Sequence, residues 1–175
     1  MDIEPTKEQV LAGYSRARLQ LQARLQTATA EDLRRSSNGT KWTNEELLFH
    51  MVFGYMVVRA LLPLVHAVSR LPKPVGKGFA AVLNAGTGAF NMANYWGSSA
   101  ASLVYDRRRM GRKLDRTIAS LTRRLERETP ATLARSMPFP DRWDPFFKPL
   151  MSVNDVYAYP TLHFDFHARQ LSLEG

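Results

Sequence analysis

Between Glu46 and Arg59 the chain runs for twelve residues, Leu47 to Val58, without a formal charge. Read as a helix, this stretch puts Leu47, His50, Gly54, Leu61 and Val65 on one stripe. Leu48, Phe49, Phe53 and Met56 face away from it, so the helix is apolar almost all round. Such a helix has to be covered on more than one side. A bilayer is one cover, but an apolar run of roughly 10–14 residues suits a buried core helix better than a membrane span. His50 within the run, and Arg59 and Pro63 after it, point the same way. The cover expected is therefore protein: the segment from about Gly78 to Ala101, or a second copy of the chain in a homodimer.

Three further helices read from periodicity and capping. The first covers Lys7 to Thr27, with Thr6 and Gln9 forming a capping box and Val10, Tyr14, Ala17, Leu21 and Leu25 on one face. Thr43 and Glu46 form a second box at the head of the apolar helix, which should bend near Pro63. The third long helix is expected from about Ser99 to Arg127, on the spacing of Leu103, Met110, Leu114, Ile118, Leu121 and Leu125. Ser152 and Asp155 open the last helix, which carries Pro160 and runs nearly to the C-terminus. Pro138, Pro140, Pro145 and Pro149 mark the preceding stretch as a loop, and no segment reads as a strand. The expectation is an all-α chain, residues 1–175 as a single domain: a bundle of four antiparallel helices with an apolar segment, 76–99, between the second and third.

Composition narrows the function classes. The chain has no cysteine, so thiol chemistry would need a thiol from outside. The N-terminal Met-Asp-Ile-Glu-Pro lacks the apolar core of a signal peptide, and cytoplasmic residence is expected. Net charge is +8, but the densest basic block, Arg107-Arg108-Arg109 with Arg112 and Lys113, is the outer face of an amphipathic helix. No zinc-finger or ribonucleoprotein motif accompanies it, so no sequence-specific nucleic acid is expected as a partner.

The four histidines are more telling. His163 and His167 are four residues apart, roughly 40° on a helix turning ~100° per residue, and share an inward face with Val156, Pro160, Gln170 and Leu171. His50 is inward on its own helix, with Gly54 leaving room one turn on. A lone buried histidine is ordinarily a hydrogen-bonded core residue. Two adjacent ones each need a partner, and protonating either repels the other. One divalent metal ion satisfies both, with His50 as third ligand and positions left open as in catalytic sites. Pro160 frees the carbonyl of Val156, a candidate acceptor for a ligand N–H. His66, sixteen residues after His50, falls off the inward stripe. Asp165, between the ligands, points away from them and is a poor general base.

The stretch Gly39-Thr40-Lys41-Trp42-Thr43-Asn44-Glu45-Glu46-Leu47-Leu48-Phe49-His50-Met51, followed far downstream by His163-Phe-Asp-Phe-His167-Ala-Arg-Gln170-Leu171, resembles the DinB superfamily of DinB/YfiT-like metalloenzymes. The resemblance covers nearly the whole chain. It implies a helical bundle in which His50, His163 and His167 hold a divalent metal, zinc, nickel or iron. Activities it implies include S-transfer from bacillithiol or mycothiol and thiol-dependent maleylpyruvate isomerisation, with hydrolysis in other members. The arginine-rich, lysine-poor composition suits a high-GC actinobacterium, and with that source mycothiol as the co-substrate. The segment 76–99 departs from the family pattern: as a pocket wall it offers Asn91 and Trp96 for substrate binding, whereas its alanines and Phe79 favour plain core cover. Arg107 falls on the apolar face of its helix and could hold a substrate carboxylate, though snorkelling to solvent also accounts for it.

Three functions fit these residues. The first is a metal-dependent thiol S-transferase acting on a small electrophile and a low-molecular-weight thiol. The second is a metal-dependent hydrolase using the same site, and the third a non-catalytic, metal-stabilised binding module.

Overall fold

A computed structural model describes residues 4–88, 92, 95–97 and 106–173. Capping boxes open four of its helices: Thr6/Gln9 at α1 (Lys7–Thr27), Thr29/Asp32 at α2 (Ala30–Arg34), Thr43/Glu46 at α3 (Asn44–Val68) and Ser152/Asp155 at α7 (Val153–Ala168). In each, a side-chain oxygen takes a first-turn N–H that has no helical partner. Between α3 and α7 lie α4 (Lys73–Ala85), α5 (Arg107–Arg127), α6 (Pro130–Leu133), β1 (Ser136–Pro138) and β2 (Leu150–Ser152). The two strands pair antiparallel, with Met137 opposite Met151.

The expected bundle of four antiparallel helices with an apolar insertion is thereby corrected. The chain is all-α apart from the short β1–β2 ladder, it holds more helices than four among the described residues, and the strongly apolar helix is α3 itself. The segment expected as an apolar insertion contributes α4, whose outer residues Val75, Lys77 and Val82 are exposed. Helix directions differ as well. Gly13 packs on Thr161 and Arg16 pairs with Asp165, so α1 and α7 run parallel. His66 at the end of α3 meets Glu128 just past α5, so those two also run parallel. Lys7 binds the carbonyls of Glu126 and Glu128, so α1 and α5 are antiparallel. A parallel pair cannot be joined by a tight turn, which is the reason for the long connection carrying α4 between α3 and α5. Asp106 caps α5 at Arg107, later than the Ser99 start expected; Leu103 lies outside the described residues.

The four long helices close into a ring, α1 against α5 and α7, and α3 against the same two. Tyr14, Leu21, Leu48, Met51, Tyr55, Leu62, Met110, Leu114, Tyr157 and Phe164 are fully buried at its centre. Each leucine, methionine and phenylalanine among them contributes about 1.5–3 kcal/mol by burial. The buried hydroxyls find partners: Tyr14 donates to the Tyr157 carbonyl at 2.7 Å and Tyr55 shares a 3.0 Å bond with Thr161. By length and composition α3 could cross a membrane, yet 56% of its most apolar window is covered inside the protein. It continues through Pro63, as α7 does through Pro160. Because α3 and α7 run antiparallel, the start of one meets the end of the other, and this brings distant histidines together.

Candidate metal centre

The loop before α3 is built to carry Trp42. Gly39 takes the left-handed conformation, φ +70°, which a residue without Cβ adopts freely. Ser37 holds the Trp42 carbonyl through both its N–H (3.0 Å) and its hydroxyl (2.8 Å). Trp42 then lies over His50, ring centroids 4.4 Å apart. Asn44, fully buried, ties the loop to the C-terminal tail: its amide donates to the Asp32 carbonyl at 2.7 Å, and its oxygen accepts from the Ser172 N–H at 3.0 Å.

Under Trp42 the structure brings together the three histidines expected. Nε2 of His50 and Nε2 of His163 face each other at 3.0 Å, and one nitrogen from each of His50, His163 and His167 falls within 4.8 Å of the others. His50 and His163 are buried and His167 is half-buried. Burial, followed by repulsion from His167, pushes the His50 pKa down to about 3. Burial also drives His163 well below the ordinary range, and it lowers His167. All three are therefore neutral at pH 7, with lone pairs available. Nδ1 of His167 lies 2.6 Å from Gln170 Oε1. As a donor there it leaves Nε2 free as a ligand. The Gln170 carbonyl in turn accepts from the Asn38 N–H at 2.7 Å, so one loop fixes both Trp42 and the partner of His167.

Two facing imidazole nitrogens can share at most one proton. The opposite nitrogen of His163, Nδ1, is buried with no hydrogen-bond partner among the described residues. A divalent ion accepting a lone pair from one nitrogen of each ring would end the competition of the facing His50 and His163 nitrogens for one proton, so the residues present fit a metal. The cluster is capable of coordinating one. Gly54 makes the room, for His163 rather than His50: a Cβ there would stand 2.8 Å from His163 Nδ1.

A carboxylate that the sequence reading did not identify stands beside the cluster. Asp144 Oδ2 lies 4.0 Å from His163 Nε2 and accepts from the Tyr159 hydroxyl at 2.9 Å, while Oδ1 accepts from the Phe146 N–H at 2.9 Å. Burial raises its pKa, opposed by those two hydrogen bonds. The residue sits in the proline-punctuated loop, where periodicity gives no signal. From His50, His163 and Asp144 an apolar cavity of ≈ 110 Å³ leads away along α3.

The remaining candidates fall elsewhere. Asn91 lies outside the described residues. Trp96 is 65% exposed and touches the site through Tyr95, which stacks on Trp42 at 6.0 Å. Arg107 donates to the Ala28 carbonyl at 2.6 Å, closing the end of α1. Asp165 points outward to Arg16, and His66 pairs with Glu128 at 3.0 Å, both away from the cluster. The carbonyl freed by Pro160 has not become a partner for His163 Nδ1.

Searches of curated proteins and of solved structures found no match. The family model of the DinB superfamily matches residues 13–171, which takes in the Trp42 loop and all three clustered histidines. On that match, and with a histidine cluster joining α3 to α7, the chain belongs to the DinB superfamily.

Proposed function

We propose that the protein is a metal-dependent thiol S-transferase, with His50, His163 and His167 as the metal ligands and a small electrophile as second substrate. The observation that carries this reading is the meeting of three neutral imidazoles, two of which, His50 and His163, line the end of a cavity. A divalent ion held by neutral ligands keeps its full charge and supplies a Lewis acid that favours the anionic form of a nucleophile. The chain's own residues do the rest. Trp42 covers His50 and limits water, and Gln170 fixes the His167 tautomer. Asp144 stands where it can accept the proton that the nucleophile loses. With no cysteine in the chain, the sulfur comes from a free thiol, for which mycothiol is the candidate. The reaction belongs in the cytoplasm, where such thiols are kept reduced.

Hydrolysis is the second reading, and Asp144 is the observation that favours it: a carboxylate base is what water activation needs at this site. Titrating cobalt-loaded protein with a small thiol separates the two. The S-transferase reading expects a changed ligand-field spectrum and thiol-dependent turnover of electrophiles. Turnover of esters or amides with no thiol present, and a spectrum indifferent to thiols, would replace it with the hydrolase.

A further inference from the structure

The cavity that starts at the histidines is long and one-sided in chemistry. Its floor is a line on α3, namely Phe53, Val57, Leu61 and Leu64, spaced so that each lies about one turn beyond the last. From His50 to Leu64 this covers about 20 Å of helix at 1.5 Å per residue. The opposite wall comes from Phe79 and Leu83 on α4 and from Phe139 and Phe147 in the loop after β1. That wall is braced. The Trp143 indole N–H donates to the Leu83 carbonyl at 2.9 Å, and Asn84 donates to Asp141 at 2.9 Å. Where α4 crosses β1, a Cβ on Gly76 would stand 3.0 Å from Pro138, so the two elements pack as closely as glycine allows.

Polar groups gather at one end only. His50, His163, Asp144 and Tyr159 line the start of the cavity, and none of the described residues that line it is a lysine or arginine. A compact ring would touch one or two positions of the α3 line, whereas an extended chain touches all four. Along the α3 line a carboxylate would meet no lysine or arginine among the described lining residues, an uncompensated burial of charge. A dicarboxylate, which can place at most one carboxylate at the histidine end, is therefore a poor fit.

We infer that this cavity binds a linear aliphatic tail without negative charge, with the reacting head of the substrate at the His50–His163 end. The identity of the head rests on the metal-dependent reading above; the binding of the tail does not.

The test is calorimetric titration of the full chain, with and without one equivalent of zinc, by butanol, hexanol and octanol. Affinity should rise about fourfold per methylene in both forms. Octanoate should bind the zinc-free protein at least tenfold more weakly than octanol does. Leu61→Glu places a charge on a half-exposed position far from the histidines, and should abolish the chain-length dependence. Circular dichroism checks that this variant is folded. An affinity independent of chain length in the unmodified protein overturns the inference, as does octanoate binding as well as octanol, or folded Leu61→Glu keeping the full dependence. Zinc binding that persists with a flat alcohol series refutes the tail site alone. A steep series in a protein that binds no zinc supports the tail site and refutes the metal reading.

Discussion

Replacing Gly54 by alanine probes how closely the backbone of α3 approaches the histidine cluster. The new Cβ stands 2.8 Å from Nδ1 of His163 and 3.2 Å from its Cε1. Real Cβ atoms essentially never come that close, so something must shift. His163 is 3% exposed and packed against the rings of His50, His167 and Tyr159, so it cannot swing aside alone. Two effects oppose each other in stability. Alanine in a helix interior gains about 1 kcal/mol over glycine, and overpacking costs about 1–3 kcal/mol. The net change in folding should be a loss of no more than about 2 kcal/mol. Metal binding has no compensating gain, because the ring that moves is itself a ligand. At least a tenfold loss of zinc affinity is expected, equivalent to about 1.4 kcal/mol. The assay is zinc competition against a chelator, paired with thermal unfolding of the metal-free protein. Gly13→Ala is the control: its Cβ stands 3.0 Å from Thr161 Cγ2, crowding α7 at a residue outside the cluster. It should alter stability comparably and leave zinc affinity unchanged. Gly54→Ala binding zinc as tightly as the parent, or Gly13→Ala losing as much, refutes the reasoning.

Three other outcomes are expected. Gln170→Ala removes the 2.6 Å partner of His167 Nδ1 and should weaken zinc binding about 10–100-fold, with its stoichiometry kept; unchanged affinity would show that Gln170 does not orient the ring. Asp144→Asn should keep one bound zinc but lower turnover about 10²–10⁴-fold at neutral pH, and a fully active variant removes Asp144 as the proton acceptor. Acid should destabilise the metal-free protein. The His50 pKa is about 3 folded against 6.5 unfolded, so between those values the unfolded chain takes up a proton that the folded one refuses. Stability from this residue is complete above about pH 7 and falls as pH drops. By denaturant titration, the His50 contribution between pH 7.5 and pH 5 should be about 2 kcal/mol. The same loss in a His50→Gln variant would assign it to other groups.

The parts of this protein legible in its sequence are those governed by local rules. Thr6, Thr43 and Ser152 mark helix starts because a cap and its partner are three residues apart, and each box forms as read. The inward stripe from Val10 to Leu25 is buried as its spacing predicts. The meeting of His50 with His163 follows from two inward faces, and the antiparallel crossing of α3 and α7 completes it. Helix direction elsewhere is not local. Nothing in the periodicity of α1 or α5 says that each runs parallel to a neighbour, so a bundle of four antiparallel helices was the natural expectation. Three-residue strands such as Ser136–Pro138 are too short to show alternation. Asp144 escaped for a related reason: a loop held by Tyr159 and by its own turn carries it to His163 from nineteen residues away, a long-range fact without a sequence signature. Gly54 leaves room for an imidazole as its place in the stripe implies, but for His163 and not His50, because the ring that fills the space comes from the other helix.

The central claim, that His50, His163 and His167 together hold one divalent metal ion, is tested most directly by zinc titration followed by X-ray absorption of the loaded protein. The expected result is one zinc per chain with three imidazole nitrogens at about 2.0–2.1 Å, lost in His163→Ala and retained in His66→Ala. Zinc bound without imidazole in its coordination shell, or bound equally by parent and His163→Ala, would contradict the claim.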